Sequence, residues 1–351
     1  MRSPRLMTIA LMLAIGCTAS CGQETVDPPP SPPAPPDTVS ALGNWTLVLD
    51  RPLATKYEGM SFPDSLHGWV VSAAGEILRT TDGGSTWALQ ASGFGHLRST
   101  DFLNASVGFA GTLSGLLYRT TDAGVTWTNI TSRLPKAPIG VCGIAHFGNR
   151  VHVVGRFGGA ADYFSSPDGG ISWEHSDLGT LAQGLVDVTF LDDQVGLIGG
   201  MARSATLNEG PAIILKTTDG GRNWRSVFTH NVERGSAWKI FAVNTRVIYA
   251  ALEAVDGTHR VVKSVDGGDN WEVQIVATGQ PAGARLQGIG FLDVNVGWVG
   301  GFFTGMYATT NGGKSWSSVS VTSGRFNRYR RAGSTLFTAG TQGILRYDAR
   351  R

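Results

Sequence analysis

Short apolar runs of about five residues recur along the chain, each set between polar turns. GWVVS at Gly68, VGFAG at Val107, VGLIGG at Val195 and VGWVGG at Val296 are β-prone and continuously apolar rather than alternating. Such strands are buried on both faces. Ahead of each stands a Phe with Asp or Asn two residues later, in FPDSLHGW at Phe62, FLNASVGF at Phe102, FLDDQVGL at Phe190 and FLDVNVGW at Phe291. At that position a short polar side chain can bond the backbone of a turn. No convincing amphipathic helix follows the N-terminal segment, so the pattern predicts an all-β domain.

After each apolar run comes a polar signature: Ser or Thr, any residue, Asp or Asn, any, Gly, any, Ser, Thr or Asn, then Trp. Six copies occur: TTDGGSTW, TTDAGVTW, SPDGGISW, TTDGGRNW, SVDGGDNW and TTNGGKSW. Their turn residues are the acids Asp82, Asp122, Asp168, Asp219 and Asp266 and the amide Asn311, and they end on Trp87, Trp127, Trp173, Trp224, Trp271 and Trp316. Successive tryptophans lie 40, 46, 51, 47 and 45 residues apart, about the length of one four-stranded propeller blade. In the first unit the strands are expected at Tyr57–Phe62 (a), Gly68–Ser72 (b), Glu76–Thr80 (c) and Thr86–Gln90 (d), with the signature at the c–d hairpin. There the acid accepts backbone N–H groups, Gly supplies a positive φ, and Trp buries its ring between blades.

Six copies do not mean six blades, because the two ends of the chain supply the parts of a seventh. Gly43-Asn44-Trp45 matches the tail of a signature, stands 42 residues before Trp87 and leads into the strand TLVLD. At the other end, Phe326 to Asp348 supplies three strands and stops where a signature should begin. Pairing the N-terminal strand with these three closes the ring and removes its sheet edges.

Composition narrows the picture further. A net charge of +2 over 351 residues argues against a general nucleic-acid binder. Arg2, Arg5 and the apolar stretch Leu6–Gly16 read as an export signal too short to span a bilayer. Ala14-Ile15-Gly16-Cys17 resembles a lipobox, with Cys21 as a second choice of lipidated residue. Residues 1–21 are thus expected to be a lipoprotein-type signal, 22–40 a Pro-rich extended spacer, and 41–351 the propeller. The chain is accordingly expected to be exported and lipid-anchored at a bacterial membrane. Cys142 alone remains in the folded part, where no internal disulfide can form and a small buried residue in a strand is expected.

The signatures are Asp-boxes, the bacterial neuraminidase repeat. Combined with F-x-[DN]-x-x-x-G-[WF], they make residues 43 to 348 resemble the photosystem II stability and assembly factor family. That resemblance implies a seven-bladed propeller and an assembly role. In photosynthetic members it implies an arginine-rich surface for a precursor reaction-centre protein and pigment. Asp-boxes also occur in sialidases, xyloglucanases and sortilin-type receptors, with the c–d turns away from the ligand face. The sialidase motif Phe/Tyr-Arg-Ile-Pro is not matched by Asp50-Arg51-Pro52-Leu53 or Ser132-Arg133-Leu134-Pro135.

The first expectation is therefore a non-enzymatic binding module for a protein or other large ligand, with no cofactor, no metal and no nucleic acid. RFNRYRR supplies a basic patch of Arg325, Arg328, Arg330 and Arg331 on the inner strand of blade seven or the loop leading into it. Tyr57, His96, Arg98, Arg156, Trp238 and Arg285 join it on or near a strands and on d–a or b–c loops. The alternative is a carbohydrate-active enzyme, which needs two facing carboxylates. Glu58, Asp101, Asp187 and Glu209 are placed near the ligand face for that role. Each Asp-box offers at most one carboxylate at its turn position, which is too few oxygen ligands for calcium. The seven histidines show no paired metal-ligand spacing.

Overall fold

The computed structural model describes residues 42–51, 56–155, 159–321 and 324–349. The signal segment with Cys17 and Cys21, the Pro-rich spacer and Arg156 lie outside the described residues. Seven four-stranded antiparallel sheets make a seven-bladed propeller, with no α-helix among the described residues. Blade one contains Tyr57–Ser61, Gly68–Ser72, Ile77–Thr80 and Ala88–Ala91, within two residues of the expected bounds. The inner strands of blades two to seven are Leu97–Phe102, Gly143–Phe147, Ala182–Phe190, Ser236–Ala242, Leu286–Phe291 and Phe326–Ala332.

Blade seven closes as the sequence predicts. Thr46–Asp50 pairs antiparallel with Gly343–Asp348, in a register running from Thr46 against Arg346 to Asp50 against Gly343. Trp45 lies edge-on to Trp298 at 5.3 Å and tilted on Tyr347 at 5.4 Å, anchoring the strand between blades six and seven. Trp298 Nε1 donates to the Leu42 carbonyl at 2.8 Å.

Aromatic ladders join the blades. Phe62, Phe102, Phe190 and Phe291 each stack on a ring from the preceding blade, namely Phe337, Trp69, His152 and Tyr249, at 4.6, 3.6, 3.4 and 3.8 Å. Each also meets the Asp-box tryptophan of its own blade edge-on, at 5.8 to 6.2 Å. This geometry explains the glycine of the Phe signature, because a Cβ on Gly68 would lie 2.3 Å from the Phe62 ring. The a–b turns are built as expected: Asp64 Oδ1 accepts the N–H groups of Leu66 and His67, both at 2.8 Å. A fifth copy, around Asn244, serves Arg246 and Val247 in the same way. Cys142 is buried just before the inner strand of blade three and is free.

Candidate functional site: the central channel and its two mouths

The Asp-boxes form the outer hairpins, each self-contained. Thr80 Oγ1 donates to Asp82 Oδ1 at 2.8 Å and accepts the Gly84 N–H at 2.9 Å. Thr86 donates to Asp82 through its N–H at 2.9 Å and its hydroxyl at 2.6 Å. These bonds, the Thr86 hydroxyl foremost, hold the Asp82 carboxyl at about 2. Asn311 repeats the arrangement, accepting from Ser315 N–H at 3.0 Å. Gly84 adopts φ 75° and a Cβ there would lie 2.4 Å from Phe337, so the box needs glycine for both turn and packing. Among the described residues no group of three His, Cys, Asp or Glu could hold a metal ion.

The inner strands carry a different set of charges. Where they begin, a pocket of about 230 Å³ opens between d–a and b–c loops, lined in part by Lys56, Glu58, His96, Phe302, Arg325 and Asn327. Glu58 accepts from Arg98 Nη1 at 2.6 Å, with Lys56 Nζ and His96 Nε2 each at 3.5 Å. Burial alone would raise the Glu58 carboxyl, but Arg98, His96 and Lys56 hold it at about 2. Burial lowers the Lys56 ammonium to about 8 despite Glu58. Its Nζ also sits 4.3 Å above the Phe302 ring. Arg285 pairs with Glu253 at 2.8 Å beside this mouth.

Deeper in the channel, Asp187 lies 3.1 Å from Lys239 and 3.6 Å from Arg328, and accepts the Ile240 N–H at 2.9 Å. Burial would raise its carboxyl, but Lys239, Arg328 and Arg330 lower it. At the opposite mouth, among the a–b turns, Asp101, His146, Arg330 and Arg331 help line a pocket of about 290 Å³. Asp101 bonds His146 Nδ1 at 2.6 Å and accepts from Ser61 Oγ at 3.1 Å. Burial would lower the His146 imidazole, but the Asp101 charge raises it.

The sequence-predicted residues therefore separate. Arg325, Arg328, Arg330 and Arg331 share one strand and its approach but do not form one surface patch. Arg325 stands at the first mouth, Arg328 is buried mid-channel, and Arg330 and Arg331 reach the second mouth. Arg331 caps the Leu292 carbonyl at 3.0 Å there. An extended strand of seven residues spans the channel's depth, which is why adjacent letters end so far apart. Tyr57 is not on the ligand face: its ring is buried between blades seven and one. Arg98 is likewise buried, over the Trp238 ring at 5.6 Å. His96 and Arg285 are partly exposed at the first mouth. Of the four acids, Glu58 is at that mouth, Asp187 is mid-channel and Asp101 is at the opposite mouth. Glu209 is on the b–c loop of blade four, on the same face as the first mouth, paired with Arg234 of the following d–a loop.

Lys56, Lys239, Asn327 and His146 were not singled out by the sequence. Lys239 had a readable signal, a lone cation inside the apolar run SAWKIFA. The other three carry none, because only the closed ring places them over the channel.

A family model described as photosynthesis system II assembly factor YCF48 matches residues 38–151. No curated protein matches the chain. Among solved structures, YCF48 bound to D1 peptide superposes with a TM-score of 0.64 and 18% identity, covering 87% of this chain and 96% of that one. YCF48 from Cyanidioschyzon merolae gives 0.63 and 21%, covering 86% and 97%. An ancestral GH74 enzyme gives 0.63 and 15%, covering 87% of this chain but 46% of that one, so the chain spans about half its length. At these identities the likeness to the solved structures is one of fold. The chain is an Asp-box propeller of seven blades that resembles the photosystem II assembly factor family.

Proposed function

We propose that this chain is a non-enzymatic binding and assembly scaffold, held at a bacterial membrane through lipid on Cys17 or Cys21. Its first mouth would receive an acidic segment of a protein partner. One observation carries this reading: Lys56, His96 and Arg325 gather around a pocket whose one carboxylate, Glu58, is already engaged by Arg98. Arg325 has no carboxylate partner among the described residues, so the mouth presents net positive charge. The neighbour solved with a D1 peptide supports a peptide-sized partner. A role in assembling photosystem II is the narrower form of this reading.

The test is binding of a fluorescent acidic peptide to the propeller, beside a neutral peptide of the same length, with a D1 peptide added for the narrower form. Changing Lys56 and Arg325 to Ala should weaken the acidic peptide by about tenfold or more, and equal binding of both peptides by all variants would remove the reading. Labelled fatty acid should enter the full chain and be lost on changing Cys17 and Cys21 together.

The GH74 neighbour supports the enzymatic alternative. Against it, a glycosidase needs an acid that holds its proton, whereas Glu58 and Asp187 are both driven toward the ionised form by neighbouring cations. Release of sugar from β-glucans or sialosides, abolished by Glu58→Gln or Asp187→Asn, would replace the scaffold reading.

A further inference from the structure

From the floor of the first mouth to the middle of the channel, buried basic groups outnumber buried acidic ones. Arg98, Lys239 and Arg328 come from blades two, five and seven and are 4%, 4% and 3% exposed. Glu58 and Asp187, each 3% exposed, are the two carboxylates as deeply buried among them. Asp187 is shared between Lys239 and Arg328, and Glu58 is held by Arg98 at 2.6 Å. Burial, and with it the charge of Arg98, lowers both Lys239 and Arg328, so the three basic groups occupy one electrostatic neighbourhood. Arg330, half-buried below them, adds to it.

The donors tell the same story. Arg98 Nη2, Arg328 Nε and the side-chain amide of Asn327 are buried and have no hydrogen-bond partner within the protein. A buried guanidinium N–H without an acceptor is costly, and an unmatched buried charge more so. A single small anion answers both, because it accepts several N–H groups at once and evens the charge.

We propose that the channel centre, between Arg98 and Arg328, is a binding site for a small monovalent inorganic anion such as chloride. The enclosure sets the size, since every donor belongs to a residue no more than 4% exposed. The anion would link blades two and seven on either side of blade one, tying the closing blade to the rest of the ring. The site lies beneath the peptide mouth and borders it through Glu58 and Asn327, but it does not rest on that reading.

The experiment is thermal unfolding of the full chain at pH 7 in sodium chloride, bromide or gluconate at equal ionic strength. The midpoint should rise with the logarithm of halide concentration, by roughly 2 °C per tenfold above the dissociation constant, and stay at its base in gluconate. Crystals grown in bromide should show an anomalous peak within hydrogen-bond distance of Arg98 Nη2 and Arg328 Nε. Arg328→Gln should abolish the halide dependence; if that chain does not fold, the bromide peak in the unaltered protein decides. Equal midpoints in halide and gluconate would mean that water, or loss of the Lys239 proton, settles the imbalance, and would overturn the proposal. Bromide confined to the outer surface, or a halide dependence that survives in Arg328→Gln, would do the same.

Discussion

The outer hairpins and the central channel both depend on carboxylates, but they satisfy them over very different distances. Asp82 finds its partners in Thr80 and Thr86, two and four residues away. Glu58 finds Arg98 at a separation of 40 residues, and Asp187 finds Lys239 at 52. The rim acids are exposed and serve a turn that any repeat can copy, so six copies stay nearly alike. The channel acids are buried, each in an environment assembled from different blades, so no two are alike. Repetition makes structure readable, and its failure marks where a propeller can acquire individual chemistry.

The largest way to break this contrast is to open the ring. Deleting Asn44 to Asp50 removes the strand that completes blade seven and takes Trp45 from its contacts with Trp298 and Tyr347. Cooperative unfolding should be lost in calorimetry, while an unchanged melting transition would mean that closure does not hold the channel together. Next comes Arg98→Ala, which leaves the buried Glu58 carboxylate only Lys56 and His96, each at 3.5 Å. It should cost about 3–5 kcal/mol by denaturant titration, and adding Glu58→Gln should recover part of that loss.

At the rim the effects should be smaller and local. Asp82→Ala removes the acceptor of the Thr86 N–H and both hydroxyl bonds, and should cost about 1–2 kcal/mol. A loss as large as that of Arg98→Ala would erase the distinction between the two regions. Ala123 sits at φ 62° where other boxes carry glycine. Ala123→Gly should therefore stabilise the chain by about 1 kcal/mol, since the carbonyl that accepts from Trp69 and Gln90 stays in place.

Asp82→Asn should be the mildest at neutral pH, within about 0.5 kcal/mol, because Asn311 already makes the equivalent bonds. Its effect should appear in acid. The folded Asp82 carboxyl lies at about 2, below the ordinary 3.8, so its contribution is complete above about pH 4 and is lost as pH falls toward 2. Asp82→Asn should flatten that limb of the stability curve by one group. Glu58, at about 2 against an ordinary 4.5, loses its contribution over the same direction of pH.

Most of the fold was legible because its determinants are short-range. The Asp-box bonds close within four residues, and the a–b turns within three. The Phe and Gly of the second signature are six residues apart yet pack ring against backbone. Even closure could be read, since one end of the chain carries the strand that the other end lacks. The site was legible only in part. Arg98, Arg325 and Glu58 were named, but nothing in RFNRYRR reveals that its arginines divide between two mouths and the buried channel between them.

What the sequence determined by itself was the repeating unit, its turn chemistry, the number of blades and the strand that shuts the ring. Each follows from backbone geometry and hydrogen bonds between near neighbours. The tertiary structure alone decided which charges meet. Lys56 comes within 3.4 Å of Gln287 across 231 residues of chain, and Arg328 meets Asp187 from three blades away. Such pairings exist only once the ring has closed, and burial then sets their energetics, because a charge removed from water depends on whatever partner the opposing blade supplies.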